Sequence, residues 1–162
     1  MVSPVLFKSS QADWKTPKYV FKCLERLFGR FDLDPCTEDN NLGTPYYYTL
    51  EDDGLCQPWF GNVYVNPPYG KDVGRWVEKA VNEVRSGNAQ QVVMLLAART
   101  DTKWFQRYVL GFATEVLFVE GRIKFDGAKN PAPFPSVVVV FRGGELGKVK
   151  VDGINFKKCF VR

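Results

Sequence analysis

Asn66-Pro67-Pro68-Tyr69 follows the apolar run Val63-Tyr64-Val65 and precedes Gly70. These are the residues whose types and spacing point most directly to chemistry. The pattern predicts a strand ending in a rigid turn. Two consecutive prolines fix φ and remove two backbone N–H donors, so the carbonyls around them remain available as acceptors. Asn66 adds a side-chain carbonyl and Tyr69 a flat aromatic face. Such a tip can hold a planar amino group, with both hydrogens accepted in plane and the attached ring stacked on Tyr69.

Composition narrows the chemistry further. The chain has no histidine, which excludes a Ser-His-Asp triad, a Cys-His pair and any His-ligated metal. Cys23, Cys36, Cys56 and Cys159 form no C-x-x-C pair. No metal site is expected from them, and the reading is of free buried thiols in a reducing compartment. Aromatic residues make up 15% of the chain, enough to build stacking platforms for bases as well as core. The net charge of +4 suits a polyanionic partner without demanding one. Residues 1–10 lack the apolar core of a signal peptide, and no run approaches the ~20 apolar residues of a membrane span. The expectation is a soluble cytosolic protein with no membrane partner.

At 162 residues the chain fits one domain, 1–162, with an N-terminal arm over 1–12 and a basic C-terminal tail over 142–162. Thr16 is placed to cap a helix that Pro17 opens, with Val20, Phe21, Leu24, Leu27 and Phe28 on its apolar face and Gly29 as its stop. Residues 31–34 read as a short strand ended by Pro35, and 46–50 as another. The strand 63–65 leads into the Asn-Pro-Pro-Tyr turn. A helix is expected over 72–86, a buried strand over 91–97, a helix over 102–110 and strands over 115–119 and 136–141. Residues 121–135 form a loop rich in Gly, Pro and basic residues, and the tail ends in a hairpin. Strands alternating with helices argue an α/β fold with a mostly parallel sheet, and the two late strands an antiparallel pair. Ligands of such sheets bind at the carboxyl ends of strands, where both Asp34 and Asn66 fall.

The stretch from Asp13 to Phe141 resembles the small phage-type DNA N6-adenine methyltransferases. The resemblance rests on Asp13-Trp14-Lys15-Thr16-Pro17, Leu33-Asp34-Pro35-Cys36, Asp52-Asp53-Gly54-Leu55 and Asn66-Pro67-Pro68-Tyr69-Gly70. It continues through Ala98-Arg99-Thr100-Asp101-Thr102, Gly121-Arg122-Ile123-Lys124-Phe125 and Ala132-Pro133-Phe134-Pro135-Ser136. It implies a Rossmann-like S-adenosylmethionine-dependent methyltransferase sheet, mostly parallel with an antiparallel strand near the C-terminus. It also implies S-adenosylmethionine as cofactor, DNA as partner, and methyl transfer to the N6 amino group of a flipped adenine. A phage origin would place the enzyme in the host cytoplasm.

Under this resemblance Asn66, Pro67 and Tyr69 are catalytic. Asn66 and the Pro67 carbonyl accept the amino hydrogens, and Tyr69 stacks on the base. Trp14, Thr16, Asp34, Cys36, Asp52, Asp53 and Asn66 are the cofactor-binding candidates. Thr16 meets the cofactor carboxylate, Asp34 its methionine end, and Asp53 or Asp52 its adenine and ribose. One departure is the lack of a Gly-x-Gly turn after Asp34, since no glycine occurs until Gly43. Arg99, Arg122 and Lys124, with Lys129, are candidates for phosphate contacts. Phe134, between two prolines, is expected to be exposed as a second face for the flipped base, and Phe125 to be core. The same motif would also serve cytosine N4, an RNA base or a protein glutamine. A non-catalytic nucleic-acid-binding module on the same fold is the alternative from another class. A monomer and a homodimer are both compatible with the sequence.

Overall fold

The computed structural model describes residues 14–144 and 146–162; the expected N-terminal arm lies outside the described residues. The elements are α1 (Lys18–Phe28), β1 (Leu33–Asp34), β2 (Tyr46–Tyr47), β3 (Gly61–Val65), α2 (Val73–Arg85) and β4 (Ala89–Ala97). They continue with a π-helical segment (Phe105–Val109) leading into α3 (Leu110–Phe112), then β5 (Glu115–Val119), β6 (Ser136–Arg142), β7 (Lys150–Asn155) and β8 (Phe160–Val161). All strands join one eight-stranded sheet in the order β2-β1-β3-β4-β6-β5-β7-β8. Strands β1 to β4 run parallel, β6 runs antiparallel between β4 and β5, and β7 is parallel to β5.

The central strands are buried on both faces, as their continuous apolar runs require. In β4, Val92, Met94 and Leu96 pack against α2, Phe105 and Val109. Val93, Leu95 and Ala97 face the other way, onto α1 and the 121–134 loop. Strand β6 alternates likewise, Val137, Val139 and Phe141 against Val138 and Val140. The sheet is thus the middle layer of three, with α1 on one side and α2 on the other.

Three sequence expectations need correction. Pro17 itself is the N-cap of α1, its carbonyl accepting the N–H groups of Val20 and Phe21; Thr16 lies one residue outside and caps nothing. Leu27 is exposed, because α1 turns only Val20, Phe21, Cys23 and Leu24 fully inward. The tail ends in the expected hairpin, β8 folding back on β7, and β7 also pairs with β5 along its length. The hairpin brings Cys159 to Cys23, and the two form a disulfide with Cα atoms 5.5 Å apart. Cys56 is exposed, so only Cys36 matches the reading of a buried thiol. No helix among the described residues is long and apolar enough to cross a membrane.

Candidate active site

Strand β1 sits between β2 and β3, and all three run the same way. The chain leaves Asp34 for β2 on one side and later returns as β3 on the other. This divergence opens a crevice at the carboxyl ends, the usual ligand position in such sheets. Trp14, Lys15, Thr16, Asp34, Cys36, Thr37, Glu38, Asn41, Leu42, Tyr64, Asn66 and Pro67 line it, and its volume is about 30 Å³. Five of the expected cofactor-binding residues, Trp14, Thr16, Asp34, Cys36 and Asn66, therefore converge from segments far apart in sequence.

Strand alternation decides where Asn66 points. Val63 and Val65 face α2, Tyr64 faces α1, and Asn66 follows Tyr64. Its Nδ2 donates to the Trp14 carbonyl at 2.6 Å and to Thr16 Oγ1 at 3.2 Å. A backbone carbonyl can only accept, so the amide orientation is dictated by chemistry. Oδ1 is left buried with no hydrogen-bond partner among the described residues. Behind it, Thr16 Oγ1 and the Tyr64 hydroxyl are 2.6 Å apart. Burial holds the Tyr64 phenol well above its ordinary pKa, so it is neutral. Thr16 is thus a hinge in a polar chain, and this replaces its expected capping role.

Asp34 is 3% exposed and accepts the Cys36 N–H at 3.1 Å. No cation pairs with it among the described residues. Burial raises its pKa to about 7 against the opposing pull of that one N–H. The following loop makes its turn without Gly-x-Gly. Asn40 takes φ 51° and Gly43 φ 73°. Asn40 Oδ1 accepts from the Thr44 N–H and hydroxyl, while its Nδ2 donates to the Thr44 carbonyl. Lys15 reaches across to this loop, 3.0 Å from Asp39 and 3.9 Å from Glu38.

Asp52 and Asp53 do not line the crevice. Asp52 Oδ2 accepts from the Thr49 N–H and hydroxyl, and Asp53 Oδ2 lies 3.1 Å from Cys56 Sγ. Their carboxylates fold the turn that carries them. That turn packs against the segment that follows β1: a Cβ on Gly54 would sit 2.0 Å from the Pro35 carbonyl oxygen. A hollow of about 390 Å³ beside the crevice is lined instead by Glu38, Thr49, Leu50 and Glu51. Glu38 belongs to both spaces.

Tyr69 stands at the other end of the motif, its hydroxyl donating to the Leu95 carbonyl at 3.1 Å. Its ring meets Phe134 edge-on at 5.3 Å, Phe125 at 6.3 Å and Trp14 at 6.5 Å. Phe134 is 8% exposed, which corrects the expectation of an exposed face: Trp14 and Tyr69 cover it, and the Arg99 guanidinium lies 5.9 Å over its ring. Phe125 is core, as expected. From Arg122 to Phe125 exposure alternates, so Ile123 and Phe125 point inward while Arg122 and Lys124 point to solvent. Arg122 Nη1 donates to the Ala132 carbonyl at 3.3 Å, which closes the loop on itself. Arg99, Arg122, Lys124 and Lys129 are exposed, and none has a carboxylate partner among the described residues.

Sequence reasoning missed Lys15, Glu38 and Tyr64 as crevice residues. Tyr64 carried a usable signal, since it alternates with two valines and so shares a face with Asn66. Lys15 and Glu38 carried none, because their meeting depends on the loop path.

A family model described as DNA N-6-adenine-methyltransferase (Dam) matches residues 5–144. The chain is 34% identical over 145 residues to a DNA N-6-adenine-methyltransferase of Escherichia phage T1, a match covering 88% of this chain and 58% of that protein. It is 34% identical over 120 residues to a DNA N-6-adenine-methyltransferase of Haemophilus phage HP1, covering 73% of this chain and 68% of the relative. The chain thus spans less than two thirds of the T1 protein. A match over this much of the chain, containing the crevice and the Asn-Pro-Pro-Tyr turn, shows that it belongs to the Dam family of DNA N-6-adenine-methyltransferases.

Proposed function

We propose that this chain transfers a methyl group from S-adenosylmethionine to the N6 amino group of adenine in DNA, on a Rossmann-like methyltransferase sheet. The observation that carries the reading is Asn66 Oδ1, an acceptor aligned by two donations from its own amide nitrogen and left without a partner. Leaving a buried acceptor empty costs about 1–3 kcal/mol, which a functional site can justify. An exocyclic amino group would fill it. Pro67 lines the same crevice, and its carbonyl is the second acceptor that the motif offers. Two acceptors in the plane of the amino group favour a nitrogen lone pair turned out of the ring. No basic side chain is required, in keeping with the lack of histidine.

The donor set fits the cofactor's methionine end. Asp34 and Glu38 suit an ammonium, Lys15 suits a carboxylate, and the Trp14 side chain offers an apolar flank. The larger hollow beyond Glu38 would take the nucleoside end, with Glu38 or Glu51 in the role the sequence assigned to Asp52 and Asp53. Bound there, the cofactor supplies a methyl group on a positively charged sulfur. Tyr69 forms the aromatic face of the base site, with Phe134 packed edge-on behind it, and Arg99, Arg122 and Lys124 face the phosphates. The phage origin of the relatives supports the cytoplasm of an infected host as the place of action.

The test is tritium transfer from labelled S-adenosylmethionine to unmethylated duplex DNA, followed by nucleoside digestion and mass spectrometry. N6-methyldeoxyadenosine is the expected product, and Asn66→Ala abolishes it. Because Asn66 Nδ2 also holds Trp14 and Thr16, this variant additionally weakens the cofactor's melting shift. Methylated cytosine would replace the base in this reading. No transfer to any nucleic acid would favour a protein glutamine or a non-catalytic module.

A further inference from the structure

Two side-chain atoms among the described residues are buried without a hydrogen-bond partner: Asn66 Oδ1 and Ser136 Oγ. The first is explained by the amino group it would accept. The second has no such account. Ser136 is 1% exposed, and a buried hydroxyl with no partner is costly enough to need one. It opens β6 opposite Ala97, at the carboxyl end of β4. That is the same sheet edge on which Asn66 ends β3.

Both side chains take the same face. Ser136 alternates with Val138 and Val140, which pack with Tyr64, Phe125 and Phe134 on the α1 side. Asn66 follows Tyr64 onto that side. Strand register gives the spacing. Val65 pairs with Met94 and Ala97 with Ser136, so the two residues are two strands apart and about two residues out of step. Standard sheet dimensions then put their Cα atoms on the order of 12 Å apart. Two short side chains with one planar base between them bridge such a gap. Tyr69 reaches the Leu95 carbonyl on the intervening strand, and Phe134 packs edge-on against its ring.

Resting on the methyltransferase reading, we infer that Ser136 is a second base-reading group: its hydroxyl donates to a ring nitrogen of the adenine whose amino group Asn66 Oδ1 accepts. The two orphan atoms form a complementary pair. Asn66 Oδ1 can only accept and so takes one N6 hydrogen, whereas the Ser136 hydroxyl can donate and so suits a ring-nitrogen lone pair. The pair would orient the base in its plane while Tyr69 fixes its face. Discrimination comes from leaving this hydroxyl empty again when the wrong base enters.

The test compares wild type with Ser136→Ala on duplexes carrying adenine, 1-deazaadenine, 3-deazaadenine or 7-deazaadenine at the target. The wild type is expected to lose about tenfold in kcat/KM on one deaza substrate. Ser136→Ala should lose about tenfold on adenine and nothing further on that same analogue. Its melting temperature should hold or rise, because the deleted hydroxyl satisfies nothing in the free protein. A lower melting temperature would reveal a structural partner and overturn the inference. So would unchanged kcat/KM on adenine, or deaza penalties identical in both proteins. Wild-type transfer to unmodified adenine is the internal control: its absence counts against the adenine reading itself, not against Ser136.

Discussion

Asp34→Asn should make the protein more stable at pH 8 and, on the proposed methyltransferase reading, worse at holding S-adenosylmethionine. Burial raises the Asp34 carboxyl from 3.8 to about 7. The folded protein therefore keeps this proton after the unfolded chain has released it. Between about pH 4 and pH 7 the folded state binds more protons, so stability falls as pH rises and levels off above 7. A shift of this size is worth at most about 4 kcal/mol, since each pKa unit is ~1.4 kcal/mol. Asparagine keeps the acceptor for the Cys36 N–H at 3.1 Å but cannot ionise. The variant and the wild type should match near pH 4. By pH 8 the variant should lead, with a urea midpoint higher by up to about 2 M. The assay is urea denaturation at half-unit pH steps, and the difference between the two proteins cancels every other titration. In the wild type the S-adenosylmethionine melting shift should grow as pH rises through 7, because the ionised carboxylate is the form that meets an ammonium. That growth should vanish in Asp34→Asn. A stability difference that is flat from pH 4 to 8, or that favours the wild type at pH 8, would refute the reasoning.

Other perturbations probe the frame around the site. Gly54→Ala places a Cβ 2.0 Å from the Pro35 carbonyl oxygen, where backbone must move; thermal melts should show a loss of at least about 2 kcal/mol. Cys159→Ser removes a bond that closes 136 residues of sequence and should cost about 2–5 kcal/mol in oxidising buffer. Added reductant should erase that difference, which a denaturation series with and without dithiothreitol checks. Tyr69→Phe gives up only the bond to the Leu95 carbonyl, about 1 kcal/mol of stability, and keeps the stacking face. Its kcat/KM should stay within a few-fold of wild type while Tyr69→Ala loses far more, as a tritium-transfer assay would show.

The local elements and the chemistry of the motif are legible in the residues alone. Val63-Tyr64-Val65 followed by Asn-Pro-Pro-Tyr reads as a strand running into a rigid turn, because a continuous apolar run needs two buried faces and paired prolines forbid both helix and ladder. The same logic located Asp34 at a strand end and placed α1, α2, β4 and β6 within a few residues. It could not orient the Asn66 amide, since that depends on a carbonyl 52 residues away. Nor could it seat β7 beside β5, pair Cys23 with Cys159, bury Phe134 or leave Asp52 and Asp53 out of the crevice lining. Each of those outcomes rests on contacts between distant segments, whose energies are set by which faces the sheet order brings together. Residue type carries the chemistry a side chain can do; only the tertiary packing decides which of its atoms are already satisfied and which remain open to a ligand.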